Sequence, residues 1–292
     1  MSKDLPVLDA KAAFVDVGSE RMHVSIGGDV PMVFGSVTTQ LHALRDWLLA
    51  QGVRSVAMEA TGVYWLPLFS VLEAAGLEVR MVSGRQTRNS PGRKTDMQDA
   101  QWGATLHMHG LLRAGFVPPA DIRRLQDYLR LRADHVNQAA SCVQLMQKAL
   151  ERMNIKLHDA ISSLAGASGM AIVRAIVAGE RDPAALLKLC DVQIRRAKAE
   201  LVKEALRGTW SDEHIFALAQ AVQSWDHYQR LIAECDRRIE SVLPPHDPTQ
   251  PPLSKTTKRG GANSPEIGML REILAQMCGG CERRSGTASI RR

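Results

Sequence analysis

Short apolar segments alternate with amphipathic ones over residues 12–112, and this alternation constrains the fold more than any other feature. Period-two patterns bounded by turn residues predict five strands, at residues 12–17, 23–27, 32–36, 53–58 and 77–83. The first three are joined by tight turns and predict an antiparallel meander. Helices capped by Thr38 or Thr39 and by Thr61 separate the later strands. The order β-β-β-α-β-α-β-α therefore predicts an α/β fold in which strands one, four and five lie parallel.

Two acidic side chains fall at the ends of predicted parallel strands. Asp16 lies at the end of the first strand, and Glu59 directly follows the fourth. If those strands are neighbours, both carboxylates emerge at the same sheet edge, which is where open α/β sheets build their sites. Each acid also fits a simpler reading, because Asp favours turns and a Glu at a strand end is readily solvated.

A second pair of acids opens a helix predicted over residues 96–112. Asp96 and Asp99 are three residues apart, so they lie on one helical face, one turn from each other. Asp is also common in first turns, where the helix dipole favours it. The preceding stretch has four basic residues and no acidic one: Arg85, Arg88, Arg93 and Lys94.

These residue types suit metal-dependent chemistry on a phosphodiester. Clustered carboxylates hold two divalent ions a few ångströms apart in phosphoryl transfer. Magnesium prefers such oxygen ligands, so Mg²⁺ or Mn²⁺ is the expected cofactor. We expect Asp16, Glu59, Asp96 and Asp99 to converge as catalytic metal ligands, and the four basic residues to hold a nucleic-acid backbone irrespective of its sequence.

Composition fits a nucleic-acid partner without requiring one. The chain has 292 residues and a formal net charge of +6, which mildly favours an anionic partner. Its five cysteines are scattered and odd in number, as expected in a reducing compartment. Cys278 and Cys281 form a single CxxC motif with no second cysteine pair, so we do not expect them to bind zinc. Since the sequence has no apolar run of spanning length and no signal core, we expect a soluble cytoplasmic protein without a membrane partner.

The middle of the chain predicts long helices. Asp121 is the expected cap of a helix reaching about Asn154, and Ser211 that of a second long helix. The first helix has an apolar line with steps of three and four: Ile122, Leu125, Leu129, Ala133, Val136, Ala140, Val143 and Leu150. This spacing is typical of a coiled-coil-like seam, formed within one chain or between copies in a homo-oligomer. The predicted domains are therefore 12–117, a helical region 118–243 and a segment 244–292 that starts with a Pro-rich linker.

Three sequence blocks closely resemble the IS110 family of insertion-sequence transposases. They are FVDVG at 14–18, MEATGVYW at 58–65 and GRKTDMQDA at 92–100, and the last two are the more specific. The resemblance covers roughly residues 12–278. It implies a RuvC-like, ribonuclease H-type N-terminal domain with a DEDD carboxylate set, which maps to Asp16, Glu59, Asp96 and Asp99.

The resemblance also implies a function and partners. Members recombine the DNA of their insertion-sequence ends with target DNA, guided by an RNA from their own element. They also have a C-terminal domain with a serine nucleophile, to which nothing after about Met277 corresponds. Ser285 and Ser289 lie in an Arg-rich tail and receive no catalytic role. We expect a truncated or frameshifted copy whose C-terminal domain would begin near Lys255.

Three alternatives stay open at the level of sequence. The chain fits a nucleic-acid-binding remnant that does not transpose, and also a stand-alone nuclease for branched DNA. The third alternative is a sugar-kinase or actin-like ATPase, because the segment DVGS at 16–19 resembles a first phosphate loop. That fold needs a second such loop, which we do not find, and GASG at 166–169 is a weak adenosine-loop candidate.

Overall fold

The computed structural model describes residues 5–60, 62–87 and 95–243. The chain divides into two compact units, Met1–Pro118 and Pro119–Arg292. Several predictions concern positions outside the described residues: the helix cap Thr61, the phosphate-binding residues Arg88, Arg93 and Lys94, and the whole segment 244–292.

Unit 1 is built on one five-stranded mixed sheet. Its strands are β1 (Ala13–Val17), β2 (Arg21–Ile26), β3 (Met32–Gly35), β4 (Ser55–Ala60) and β5 (Glu78–Val82). They lie in the order β3-β2-β1-β4-β5. The first three pair antiparallel, whereas β1, β4 and β5 pair parallel. The predicted meander and the predicted parallel arrangement are therefore both confirmed.

Within the described residues of unit 1, four helices accompany the sheet: α1 (Thr38–Ala50), α2 (Trp65–Ala74), α3 (Gly84–Thr87) and α4 (Asp96–Met108). The short helix α3 was not predicted. The prediction that the last helix runs to residue 112 is wrong, because Gly110 takes a left-handed conformation with φ of 70° and ends the helical path.

Strand alternation divides the unit 1 core between the two faces of the sheet. Val15 and Val17 pack with the buried leucines of α1 and α2, whereas Phe14 and its neighbour Ala57 pack with α4. Gly103 of α4 lies on the Phe14 ring, and a Cβ at Gly103 would lie about 2.5 Å from ring atoms. The helix therefore approaches the sheet closely because this position has no side chain.

Unit 2 is helical in its described part. Its helices are α5 (Ala120–Arg152), α6 (Leu157–Ala160), α7 (Ala167–Val177), α8 (Pro183–Leu187), α9 (Val192–Ala205) and α10 (Asp212–Val242). The two long helices, α5 and α10, pack against each other within the chain. No helix in the described part of the chain combines the length and apolar character needed to cross a bilayer.

Three local predictions for unit 2 differ, wholly or in part, from the structure. Pro119, and not Asp121, occupies the N-cap of α5, and Asp121 falls in the first turn. The predicted apolar line of α5 is buried at Leu125 and Leu150, but otherwise the buried stripe passes through Arg132, Ala139, Cys142, Met146 and Ala149. The adenosine-loop candidate at residues 166–169 is instead the start of α7, where Gly169 packs on the backbone of Leu164.

Candidate active site

Asp16 and Glu59 are brought side by side by the pairing of β1 with β4. The two residues are register partners in this parallel pair, and neighbouring strands lie about 4.8 Å apart. Asp16 follows Phe14 by two residues and Glu59 follows Ala57 by two, so both acids lie on the sheet face that α4 covers. The register of β1 and β4 therefore places Asp16 and Glu59 at the same sheet edge, where they were expected.

The start of α4 carries the other two acids. Thr95 is its N-cap, and its hydroxyl accepts a hydrogen bond from the Gln98 backbone N–H at 3.3 Å. This cap begins the helix so that Asp96 and Asp99 both fall in its first turn. The positive end of the helix dipole favours negative side chains there. Asp96 is largely exposed and Asp99 is half-buried.

A polar cavity of about 480 Å³ joins the strand end to the start of α4. Asp16 and Asp96 both line it, together with Arg21, His23 and the hairpin residues 17–20. His23 is the register partner of Asp16 on β2, and its Nδ1 lies 4.0 Å from Asp96 Oδ2. Asp16, from the strand pair of acids, and Asp96, from the helix pair, therefore face the same cavity.

Glu59 is held by the short helix α3. The Thr87 hydroxyl donates a hydrogen bond to Glu59 Oε2, and the other carboxylate oxygen lies against Gly84. A Cβ at Gly84 would collide with Glu59 Oε1, so the absence of a side chain leaves the room that this carboxylate occupies. The position of Glu59 thus depends on two residues of α3 as well as on its own strand.

The four acids do not form one coordination group in the described structure. Among the residues that the structure describes, no three His, Cys, Asp or Glu side chains are grouped closely enough to hold a metal ion. Asp16 adjoins Glu59 and shares a cavity with Asp96, while Asp99, in the first turn of α4 with Asp96, does not line that cavity. Arg85, from the predicted basic set, follows Gly84 in α3. The shared metal site stays a prediction.

Sequence reasoning missed four residues that surround these acids: Arg21, His23, Gly84 and Thr87. A signal for the first two was present, because an antiparallel pairing of the first two strands places alternate residues of β2 on the face of Asp16. No pattern indicated the other two, since a four-residue helix has no hydrophobic period to detect.

A comparison with models of known protein families finds a match in the first part of the chain. Residues 15–155 match the DEDD transposase model of the IS110 type, whose description is "Transposase". This match confirms the resemblance predicted from the three sequence blocks. The matched stretch contains all four candidate acids. No curated protein matches the chain in a sequence search.

Proposed function

We propose that the protein is a transposase, and that it recombines insertion-sequence DNA by metal-dependent phosphoryl transfer at a RuvC-like, ribonuclease H-type domain formed by residues 12–117. The observation that carries the proposal is the placement of Asp16, which adjoins Glu59 in the sheet and shares a cavity with Asp96. The strand order β3-β2-β1-β4-β5, with α4 across one face, is compatible with this fold. The family match supports DNA as the substrate.

The donor set fits hard divalent cations. Asp16, Glu59, Asp96 and Asp99 offer carboxylate oxygens, the ligands that Mg²⁺ and Mn²⁺ prefer. Bound ions would activate the attacking oxygen and neutralise charge on the leaving oxygen. Glu59 is oriented by the Thr87 hydroxyl, so its carboxylate does not need to lose rotational freedom when it takes up a ligand. We propose that these four residues are the catalytic ligands.

The remaining parts of the proposal concern partners. Arg85, Arg88, Arg93 and Lys94 would hold the DNA backbone, so their contribution would weaken as salt rises. A guide RNA from the same element would choose the DNA ends and target.

The helical region 118–243 would also join copies of the chain through α5 and α10. We propose that the reaction takes place in the cytoplasm, where thiols such as Cys142 stay reduced.

Cleavage of branched DNA by the full chain tests the catalytic part of the proposal. We expect cleavage with Mg²⁺ or Mn²⁺, none with a chelator, and none from Asp96→Ala. Asp46→Ala is the matched control, because Asp46 lies on α1, which packs on the opposite face of the sheet. Activity that survives in Asp96→Ala, or that does not need a divalent ion, would contradict the proposal.

A second candidate is a nucleic-acid-binding protein that does not cleave. One observation favours it: within the described residues the acids are not grouped as a ready coordination set. Under this alternative the wild-type chain binds branched DNA in gel-shift experiments but leaves it intact with either Mg²⁺ or Mn²⁺. The cleavage assay above therefore separates the two candidates directly.

A further inference from the structure

A cation faces the acid-lined cavity from β2. Met22 and Val24 are buried in the core beneath α1 and α2. Because side chains alternate along a strand, Arg21 and His23 lie on the opposite face, which is the face of Asp16. Arg21 lines the same cavity as Asp16 and Asp96. A guanidinium group therefore lies beside the carboxylates without belonging to the metal-binding set.

The Arg21 side chain is exposed, and its backbone is fixed. The Gly18 backbone N–H donates a hydrogen bond to the Arg21 carbonyl oxygen at 3.0 Å. A Cβ at Gly18 would lie 2.7 Å from that oxygen, so the tight turn requires glycine. Across the described part of the chain, Arg21 makes no ion pair, whereas Arg45 and Arg80 bind the carboxylates of Asp46 and Glu78.

We propose that Arg21 binds the non-bridging oxygens of the substrate phosphodiester at this site. The inference rests on the proposed function. A guanidinium group cannot ligate a metal ion, and its planar fork matches two phosphate oxygens. A phosphate held between the metal ligands and Arg21 would keep the positive guanidinium group apart from the bound metal ions. Arg21 would then fix the scissile phosphate against the edge of the sheet where Asp16 lies.

The test compares Arg21→Ala and Arg21→Lys in the full chain with Arg54→Ala as the matched control. Arg54 is an exposed arginine of the same unit that directly precedes β4, so it lies at the opposite sheet edge from Glu59. We expect Arg21→Ala to raise the KM for branched DNA about ten- to hundredfold, with Arg21→Lys intermediate. When the logarithm of the DNA-binding constant is plotted against the logarithm of the salt concentration, the slope should become about one unit less steep in Arg21→Ala. It should stay unchanged in Arg54→Ala.

Two further measurements keep a phosphate contact distinct from a structural role. The thermal midpoint and the Mn²⁺ affinity of Arg21→Ala stay those of the wild type, whereas Asp96→Ala loses Mn²⁺ affinity. The inference is overturned if Arg21→Ala matches Arg54→Ala in KM and salt slope, or if it loses Mn²⁺ as Asp96→Ala does. A wild-type chain that neither binds nor cleaves DNA would overturn the proposed function itself, and the inference with it.

Discussion

At the scale of single residues, Gly84 determines where the Glu59 carboxylate can lie. In Gly84→Ala the new methyl group takes the space of Glu59 Oε1, so the carboxylate must turn away from its position beside Asp16. Because only the end of a flexible side chain moves and the Thr87 hydroxyl keeps the Gly84 carbonyl oxygen as a partner at 3.2 Å, we expect little change in the thermal midpoint. We expect Mn²⁺ affinity to fall about ten- to hundredfold, as when other supports of a metal ligand are lost.

The matched control for Gly84→Ala is Gly115→Ala. At Gly115 the nearest atom to a new Cβ is the Met81 carbonyl oxygen at 3.5 Å, which is ordinary contact. Titration calorimetry with Mn²⁺ measures both variants. Equal affinities in the two would show that the position of Glu59 does not matter for metal binding.

His107 is a buried residue of α4, away from the candidate site, and we expect it to make the stability of unit 1 depend on pH. Its Nε2 lies 2.9 Å from the Ser55 hydroxyl. Burial lowers the pKa of the His107 imidazole, and the nearby Arg80 guanidinium lowers it further. The folded chain therefore keeps His107 neutral at a pH at which the unfolded chain, with an ordinary pKa of about 6.5, already binds a proton.

This difference predicts that the free energy of unfolding is insensitive to His107 well above pH 6.5 and falls as pH drops below about 6.5. The slope from one group is at most about 1.4 kcal/mol per pH unit. Urea unfolding from pH 7.5 to 5 measures it, and His107→Gln should remove this part of the slope. The exposed His42 gives the control His42→Gln, which should keep it. An unchanged slope in His107→Gln would contradict the account.

At the scale of elements, a buried ion pair joins the two long helices of unit 2. Arg132 of α5 donates from Nε to Asp236 Oδ1 of α10 at 2.6 Å, and a second nitrogen lies 3.3 Å from Oδ2. Both side chains are largely buried, 8% and 15% exposed. Removing one partner of such a pair leaves an uncompensated buried charge, so Arg132→Met should destabilise unit 2 by about 3–5 kcal/mol.

The double variant Arg132→Met/Asp236→Leu separates the pair from the packing around it. Because it leaves no buried charge behind, its free energy of unfolding should lie much closer to that of the wild type. Urea unfolding followed by circular dichroism measures both variants. If the double variant is as unstable as Arg132→Met, the ion pair is not the reason for the loss.

At the scale of the whole molecule, the sheet could be predicted because its order follows from local patterns. Alternation and turn residues located the five strands, and connection rules then made β1 and β4 parallel. That pairing placed Asp16 beside Glu59. The three-residue spacing of Asp96 and Asp99 likewise predicted that they share one face of a helix.

The contacts that refine the site could not be predicted, because each depends on tertiary neighbours. Thr87 reaches Glu59 only once α3 has folded back over the strand end, and nothing local to Thr87 indicates this contact. The buried stripe of α5 differs from the predicted apolar line for a related reason. Arg132 is charged and is therefore skipped in a hydrophobic count, although Asp236 makes its burial possible.

Metal binding by the wild-type chain tests the central claim most directly, because it requires neither a guide RNA nor a chosen DNA substrate. Mn²⁺ would be titrated into the full chain and into Asp16→Asn, Glu59→Gln, Asp96→Asn and Asp99→Asn, and bound metal would be followed by electron paramagnetic resonance. We predict that the wild type binds Mn²⁺ and that each variant binds it at least about tenfold more weakly. A wild type that binds no Mn²⁺, or four variants that bind it equally well, would contradict the account.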